Sequence, residues 1–291
     1  MEIVRYRYKG ETSYGTYDAG VVTTPENLIG KDSIGAAAQL KSQEASTASV
    51  LSRAAGPDRS SDKAGTAVEI ATVPVDKVRL LAPARPSKII ALGYNYKDLV
   101  GERETYDEPV IFLKPPSAVI GPEEVIILHE DRKVWTEVEL AIVIGKTCRR
   151  VSAGKASDFI LGHTIANDVT MSNYMGRDHH LARSKGWDTF CPLGPWIVTD
   201  ANTSALEMRN VINGNVMQSS STDQRILDDV NTVSFLSRFF TLEPGDIILT
   251  GTPANAENSV VRDGDRVSVS IEGLGTLSNT VRSDFVTSQK R

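Results

Sequence analysis

Two glutamates, Glu137 and Glu139, stand one residue apart in the run VWTEVELAIVI over residues 134–144. In an extended strand alternate side chains share a face. Both carboxylates therefore point one way, while Val138, Leu140, Ile142 and Ile144 point the other. Glutamate is rarely buried without a partner, and a lone carboxylate in an apolar interior is costly or gives up its charge. An exposed, one-sided strand would explain such a pair, but the glutamate face continues as Ala141 and Val143, which disfavours exposure. An Arg or Lys side chain, a metal ion or water are the three candidate partners. A third carboxylate, Asp168, closes the apolar run TIAND. Three carboxylates meeting at one point do not all ionise without a cation. An all-oxygen shell of this kind suits Mg²⁺, Mn²⁺ or Ca²⁺ and not zinc. The histidines offer no rival: His179 and His180 adjoin in a polar stretch and read as solvated, and His163 has the wrong parity to share a face with Asp168. There is no Gly-rich phosphate loop, Walker motif or Gly-x-Ser-x-Gly elbow.

The elements that must position these groups are mostly strands. From Lys88 onward the chain offers IALG, PVIFL, residues 124–128, the 134–144 run, TIAND, WIVT, IILT and RVSVSIEG, each of strand length and bounded by turn residues. VINGNVM at 211–217 signals a hairpin with a type I′ turn, and EPGD and RDGD mark two more turns. Helices are fewer. Residues 222–240 place Ile226, Val230, Val233, Leu236 and Phe240 on one face, and 152–160 predict a short helix. The first 80 or so residues differ, with short strands over 1–24, a helix near Ala36–Leu51 and a loop-like GPDRSSDKAG. The boundary falls at APARPS, residues 82–87. It separates a small N-terminal α+β domain over 1–82 from a larger domain over 86–285. The fold class expected is mainly β with some α, of a barrel or sandwich kind rather than a doubly wound sheet.

Composition sets limits on partners. The chain has 291 residues, 40% of them hydrophobic and 24% charged, ordinary for a globular protein. A net charge of -5 without a basic run argues against nucleic-acid binding. No stretch of about 18 apolar residues suggests a membrane span. Cys148 and Cys191 have no motif spacing, which favours reduced thiols and a cytoplasmic location.

Several runs closely resemble the fumarylacetoacetate hydrolase family: GYNYKD (93–98), FLKPPSAVIGP (112–122), EVELAIVIGK (137–146), GHTIANDVT (162–170), KGWDTFCPLGPWIVT (185–199) and PGDIILTGTP (244–253). They cover roughly residues 86–285 in the family's order. The resemblance implies a rolled, barrel-like sheet preceded by a small domain, commonly in a homodimer. It implies Mg²⁺ or Mn²⁺ held by Glu137, Glu139 and Asp168, so that the partner of the two glutamates is a metal. It places Lys185 near the metal as a catalytic residue, and Thr252 on the substrate carboxylate. Gln218 is expected at the pocket rim, with Tyr96 also among the substrate-binding residues. The implied substrate is a small carboxylic acid of the 2-oxo or dicarbonyl type, whose enolate a Lewis acid stabilises.

The chain departs from the family near the substrate. Where its hydrolases and decarboxylases read N-Y-x-D-H-x-x-E at the start of a mobile lid, this sequence reads NYKDLVGE. Glu102 is kept as a candidate catalytic base, but the histidine position is Leu99, which relays no proton. After Asp168 the frequent Ala-Arg-Asp is Met171-Ser172-Asn173, and ANAENS follows TGTP in place of a common Gly-Val. The lid, about 99–108, is expected to order on ligand binding. An intact metal site with altered acid–base groups favours an isomerase or tautomerase. A C–C hydrolase of the acylpyruvate type, a decarboxylase or lyase, and a non-catalytic metal-binding scaffold are the alternatives.

Overall fold

The computed structural model describes residues 1–53, 70–101, 108–173 and 176–285. The chain is mainly β with some α, as its turn-bounded apolar runs predict. Strands β1 (Glu2–Tyr8), β2 (Glu11–Asp18), β3 (Val21–Pro25) and β4 (Ile70–Pro74) form an antiparallel meander. Lys9-Gly10 and Ala19-Gly20, all at positive φ, make the two-residue turns whose twist suits such hairpins. Short strands β5 (Arg79–Leu81) and β8 (Val119–Ile120) add to the large sheet at its flanks.

The meander is continuous with the strands that carry the glutamates. Glu2 and Ile3 pair with Val198 and Ile197 of strand β14 (Cys191–Val198). From there the sheet continues through β12 (Ile160–Asn167), β11 (Val138–Ile144), β17 (Ile247–Leu249), β6 (Ile89–Gly93) and β7 (Val110–Lys114). A second sheet runs β16 (Asn215–Ser221), β15 (Glu207–Ile212), β18 (Arg266–Ile271), β19 (Gly275–Ser283) and β9 (Val125–Leu128). Its β15–β16 hairpin turns at Asn213-Gly214, as the sequence predicts. β10 (Val134–Trp135) pairs with β13 (Thr170–Met171) beside the large sheet.

β11 is buried along its whole length because both of its faces are covered. On the glutamate side, Ala141 and Val143 share a core with Ala36, Ala37 and Leu40 of helix α1 (Ile34–Arg53). On the other, Val138 and Leu140 pack with Val267, Val269 and Leu277 of the second sheet. Ile142 and Ile144 meet Val233 and Leu236. Full burial of each such side chain contributes about 1.5–3 kcal/mol. The short helix expected within 152–160 is α3 (Ala153–Ala156), whose Ala156 joins the Ile142 core. Cys148 and Cys191 are free and buried. No helix among the described residues is long and apolar enough to cross a membrane.

Two expectations change. The 134–144 run is not one strand, since pairing switches from β10 to β11 across Thr136 and Glu137. At the break the Thr136 N–H donates to Ser259 O (3.1 Å) and the Glu137 N–H to Asn167 Oδ1 (3.1 Å). The 222–240 helix is also shorter. It begins only at Asp229, as α5 (Asp229–Ser237), because Asp228 caps it by accepting from the Asn231 N–H (2.9 Å). Residues before the cap are tied to Asn95 instead, through Ile226 N–H to Asn95 O and Leu227 N–H to Asn95 Oδ1, both 2.8 Å. Ile226 is therefore 47% exposed and not on a buried helical face.

Candidate metal centre and active site

Strand register brings the three carboxylates together. Val138 and Glu139 lie opposite Asn167 and Ala166 in the β11–β12 pair, and the next residue, Asp168, donates its N–H to Glu137 O (2.9 Å). Carboxylate oxygens of Glu137, Glu139 and Asp168 consequently lie within 4.8 Å of one another, and all three residues are buried. Each is oriented by fixed donors. Glu137 Oε1 accepts from Trp135 Nε1 (2.7 Å) and Thr170 Oγ1 (3.0 Å). Glu139 Oε2 accepts from the Gly251 N–H (2.7 Å). Gly251 has φ +101, and a Cβ there would press on Asn95 and on Leu92 O at 3.2 Å, so the close approach needs glycine.

Two buried ammonium groups face this cluster. The turn of helix α4 (Ala182–Lys185) delivers Lys185, whose Nζ donates to Glu137 Oε2 (2.8 Å) and Asp168 Oδ2 (2.6 Å) and lies 5.1 Å from the Phe112 ring centroid. β7 supplies Lys114, fully buried, whose Nζ donates to Asp168 Oδ1 (2.6 Å) and to Lys185 O. Lys114, Trp135 and Thr170 are not among the residues the sequence singles out.

The charges are strongly coupled. Burial pushes the Lys185 ammonium toward neutrality, but Asp168 and Glu137 outweigh it and hold Lys185 protonated well above the ordinary lysine value. Burial likewise raises Asp168, yet Lys114 and Lys185 together keep it below the usual carboxylate range. Glu139 is the odd member. Burial first, then the neighbouring Asp168 charge, push its carboxyl well above the ordinary value despite Lys185. Three carboxylates against two ammonium groups leave one negative charge in excess, which a divalent cation satisfies. The all-oxygen donor set, its oxygens gathered within 4.8 Å of one another, suits a hard divalent cation. The triad is thus able to bind a divalent metal.

The cluster opens into a cavity of about 430 Å³ walled by Leu99, Phe112, Trp135, Leu181 and Thr252, with Tyr94 and Glu257 also on its surface. A larger recess of about 710 Å³ lies near Arg5 and Asp32. Its charged groups are paired, Arg5 and Arg85 with Asp32 (2.5 and 3.3 Å) and Glu124 with the neighbouring Arg79 (2.5 Å), and it holds no comparable cluster among the described residues. Thr252 Oγ1 donates to Val138 O (3.1 Å) and accepts from Gln218 Nε2 (3.3 Å). Gln218 itself is not at a rim. It is buried behind the wall, where its Nε2 also bonds Pro253 O and Ala254 O (3.1 and 3.2 Å) and fixes that loop. Tyr96 is likewise in the core, its hydroxyl donating to Met208 Sδ (3.1 Å), and Tyr94 reaches the cavity instead. Leu99 lies on α2 (Lys97–Val100), which ends at Gly101, φ +59. Glu102 and the rest of the expected lid, 102–107, lie outside the described residues. His163 faces away from the triad, 3.0 Å from Asp229.

Residues 88–282 match the family model described as fumarylacetoacetate (FAA) hydrolase C-terminal. The oxaloacetate tautomerase FAHD2A, mitochondrial, of Bos taurus is 40% identical over 229 residues, 74% of this chain and 73% of that one. The crystal structure of a 5-carboxymethyl-2-hydroxymuconate delta-isomerase from Mycobacterium smegmatis has a TM-score of 0.78 and 37% identity, covering 98% of this chain and 100% of that one. A maleylpyruvate hydrolase from Sphingobium sp. SYK-6, in complex with manganese (II) ion and pyruvate, has a TM-score of 0.77 and 29% identity, covering 97% and 99%. With its acidic triad at the end of β11 and its family match over two thirds of the sequence, this chain belongs to the fumarylacetoacetate hydrolase family.

Proposed function

We propose that the protein is a divalent-cation-dependent tautomerase or isomerase of small 2-oxo acids. The observation that carries this reading is Leu99 in the cavity wall, at the position of the family's water-activating histidine, with no histidine among the described residues that line the cavity. Leucine neither accepts nor donates a proton, so the pair that would aim water at a carbonyl is incomplete.

Glu137, Glu139 and Asp168 would hold Mg²⁺ or Mn²⁺, which when bound supplies Lewis-acid polarisation of a 2-oxo group. Lys185 contributes fixed positive charge beside it. An ammonium held protonated this firmly is a poor proton shuttle, because its proton affinity lies far from neutral pH. Its role is electrostatic, favouring negative charge as a C–H bond next to the carbonyl breaks. Thr252 would turn its hydroxyl from Val138 O to the substrate carboxylate. Phe112, Leu181 and Leu99 cover the reacting carbon and keep water from it. Glu102 is the base we assign to the proton transfer, and oligomerisation as a homodimer accords with the family.

A second reading rests on Glu257, a carboxylate at the cavity surface. Positioned there, it would orient water for C–C hydrolysis, the reaction named for the maleylpyruvate hydrolase. One experiment separates the two. The Mg²⁺- or Mn²⁺-supplemented protein is given phenylpyruvate and acetylpyruvate in deuterated buffer, with oxaloacetate added separately as a probe for decarboxylation. Faster keto–enol interconversion and C3 deuteration, with no cleavage product by mass spectrometry, are expected. Uptake of water with C–C cleavage, or release of carbon dioxide, would overturn the tautomerase reading.

A further inference from the structure

We infer that this cavity takes a 2-oxo acid with a single carboxylate and an uncharged, apolar substituent, and that Glu257 together with the apolar wall rejects a second carboxylate. The inference rests on the 2-oxo-acid reading above and concerns the part of the substrate beyond its chelating head. Its basis is the charge map of the cavity.

Among the described lining residues the one cation is Lys185, and both its carboxylate contacts, to Glu137 and Asp168, are already made. Beyond the triad the apolar walls are Leu92, Leu99, Phe112, Leu181 and Trp135, and the polar side chains among them, Tyr94, Thr252 and Asn255, carry no charge. The described charged group that remains is Glu257, exposed on the 3₁₀ turn Ala256–Asn258 after TGTP. It has the same sign as a second carboxylate. The count at the centre agrees. Three carboxylates, two lysines and a divalent cation carry one net positive charge, which a single substrate carboxylate neutralises. Among the described walls a second carboxylate finds no counter-charge, and a partly buried charge without one is disfavoured. A cavity of about 430 Å³ lies toward the small end of ligand sites, which suits a pyruvyl head with a compact alkyl or aryl group.

The test uses two ligands that cannot enolise. 3,3-Dimethyl-2-oxobutanoate and 3,3-dimethyl-2-oxosuccinate share the chelating head and differ by a methyl group against a carboxylate. Binding of each to the Mg²⁺-loaded protein is measured by calorimetry at low temperature, and mass spectrometry checks that the dicarboxylate, a β-keto acid, keeps its second carboxylate through the titration, so the readout is binding and not turnover. The monocarboxylate should bind about tenfold or more tightly, since like-charge placement is heavily penalised. Glu257→Lys should narrow that ratio by raising affinity for the dicarboxylate. Equal or tighter binding of the dicarboxylate to the wild type would overturn the inference while leaving the 2-oxo-acid reading in place. Failure of both ligands to bind would remove the reading itself and the inference with it.

Discussion

Glu139→Gln tests the electrostatics of the triad, because its effect should change sign with metal. Without metal, the Glu139 carboxyl sits fully buried beside Asp168 and Glu137 and is pushed well above its ordinary value of 4.5. Two ionised carboxylates at the 4.8 Å limit of the cluster repel by about 3.5 kcal/mol at an effective dielectric constant of about 20. The wild type avoids this by taking up a proton. Holding that proton at about pH 7 costs at most about 3.4 kcal/mol, from about 1.36 kcal/mol per pH unit. Glutamine removes the penalty, keeps the shape, and still accepts from the Gly251 N–H. Its amide also carries two N–H donors where the protonated carboxyl has one O–H, and the extra donor costs about 1 kcal/mol. The variant should then be more stable than wild type in chelator by about 2 kcal/mol, roughly 4 °C in Tm. Because the folded value is raised, the folded protein binds more protons than the unfolded chain above pH 4.5. Wild-type stability from this group therefore declines as pH rises through that interval, and the two proteins should converge toward pH 4.5. With Mg²⁺ or Mn²⁺ added, the wild type should gain stability by mass action, and the variant, short of one anionic donor, should not. Melting curves in chelator and in metal across this pH range decide it. A variant less stable than wild type in chelator, or one that keeps the full metal-induced shift, would refute the reasoning.

Lys185→Met should keep metal content by elemental analysis and lose about 10²–10³ in kcat, the usual cost of removing a charge-stabilising donor; near-normal turnover would make Lys185 a structural residue. Lys114→Met leaves Asp168 Oδ1 without its ammonium partner and should cost about 3 kcal/mol at neutral pH by denaturant titration. Because the folded value of Asp168 is depressed, that deficit should shrink as pH falls below about 4, where Asp168 takes a proton; a deficit independent of pH would assign the loss to packing alone. Leu99→His places an imidazole in the cavity wall and should confer detectable hydrolysis of acetylpyruvate or decarboxylation of oxaloacetate without faster tautomerisation. Should the wild type already hydrolyse acylpyruvates at an ordinary enzymatic rate, and Glu102→Gln abolish it, the tautomerase reading is wrong.

What the sequence reveals of this site depends on whether the controlling geometry is local. The triad is readable because period-two alternation and an apolar continuation are properties of a few adjacent residues. Even the break at Glu137 leaves its carboxylate beside that of Glu139, since the backbone there is anchored to Asn167 and Ser259. Lys114 is within reach by the same rule. Phe112 and Lys114 alternate onto one face of β7, and a lysine in so apolar a run needs a buried partner. Its partner Asp168 is 54 residues distant, and only the fold brings the two together. Tyr96 shows where alternation fails. Tyr94 adopts φ +62, uncommon for a residue with a Cβ, and this turns the chain between β6 and α2. Tyr94 is left at the cavity and Tyr96 is sent into the core. No periodicity predicts such a turn, because Asn95 fixes it through Thr250 O and Leu227, far along the chain. The same asparagine shortens α5 by holding residues 226 and 227 in a bend outside the helix. One buried amide thus sets both the side chain that faces the substrate and the start of a helix well over a hundred residues away. Leu99 lies directly after this clamped segment, which makes its place in the wall a consequence of the fold and not of a freely moving loop.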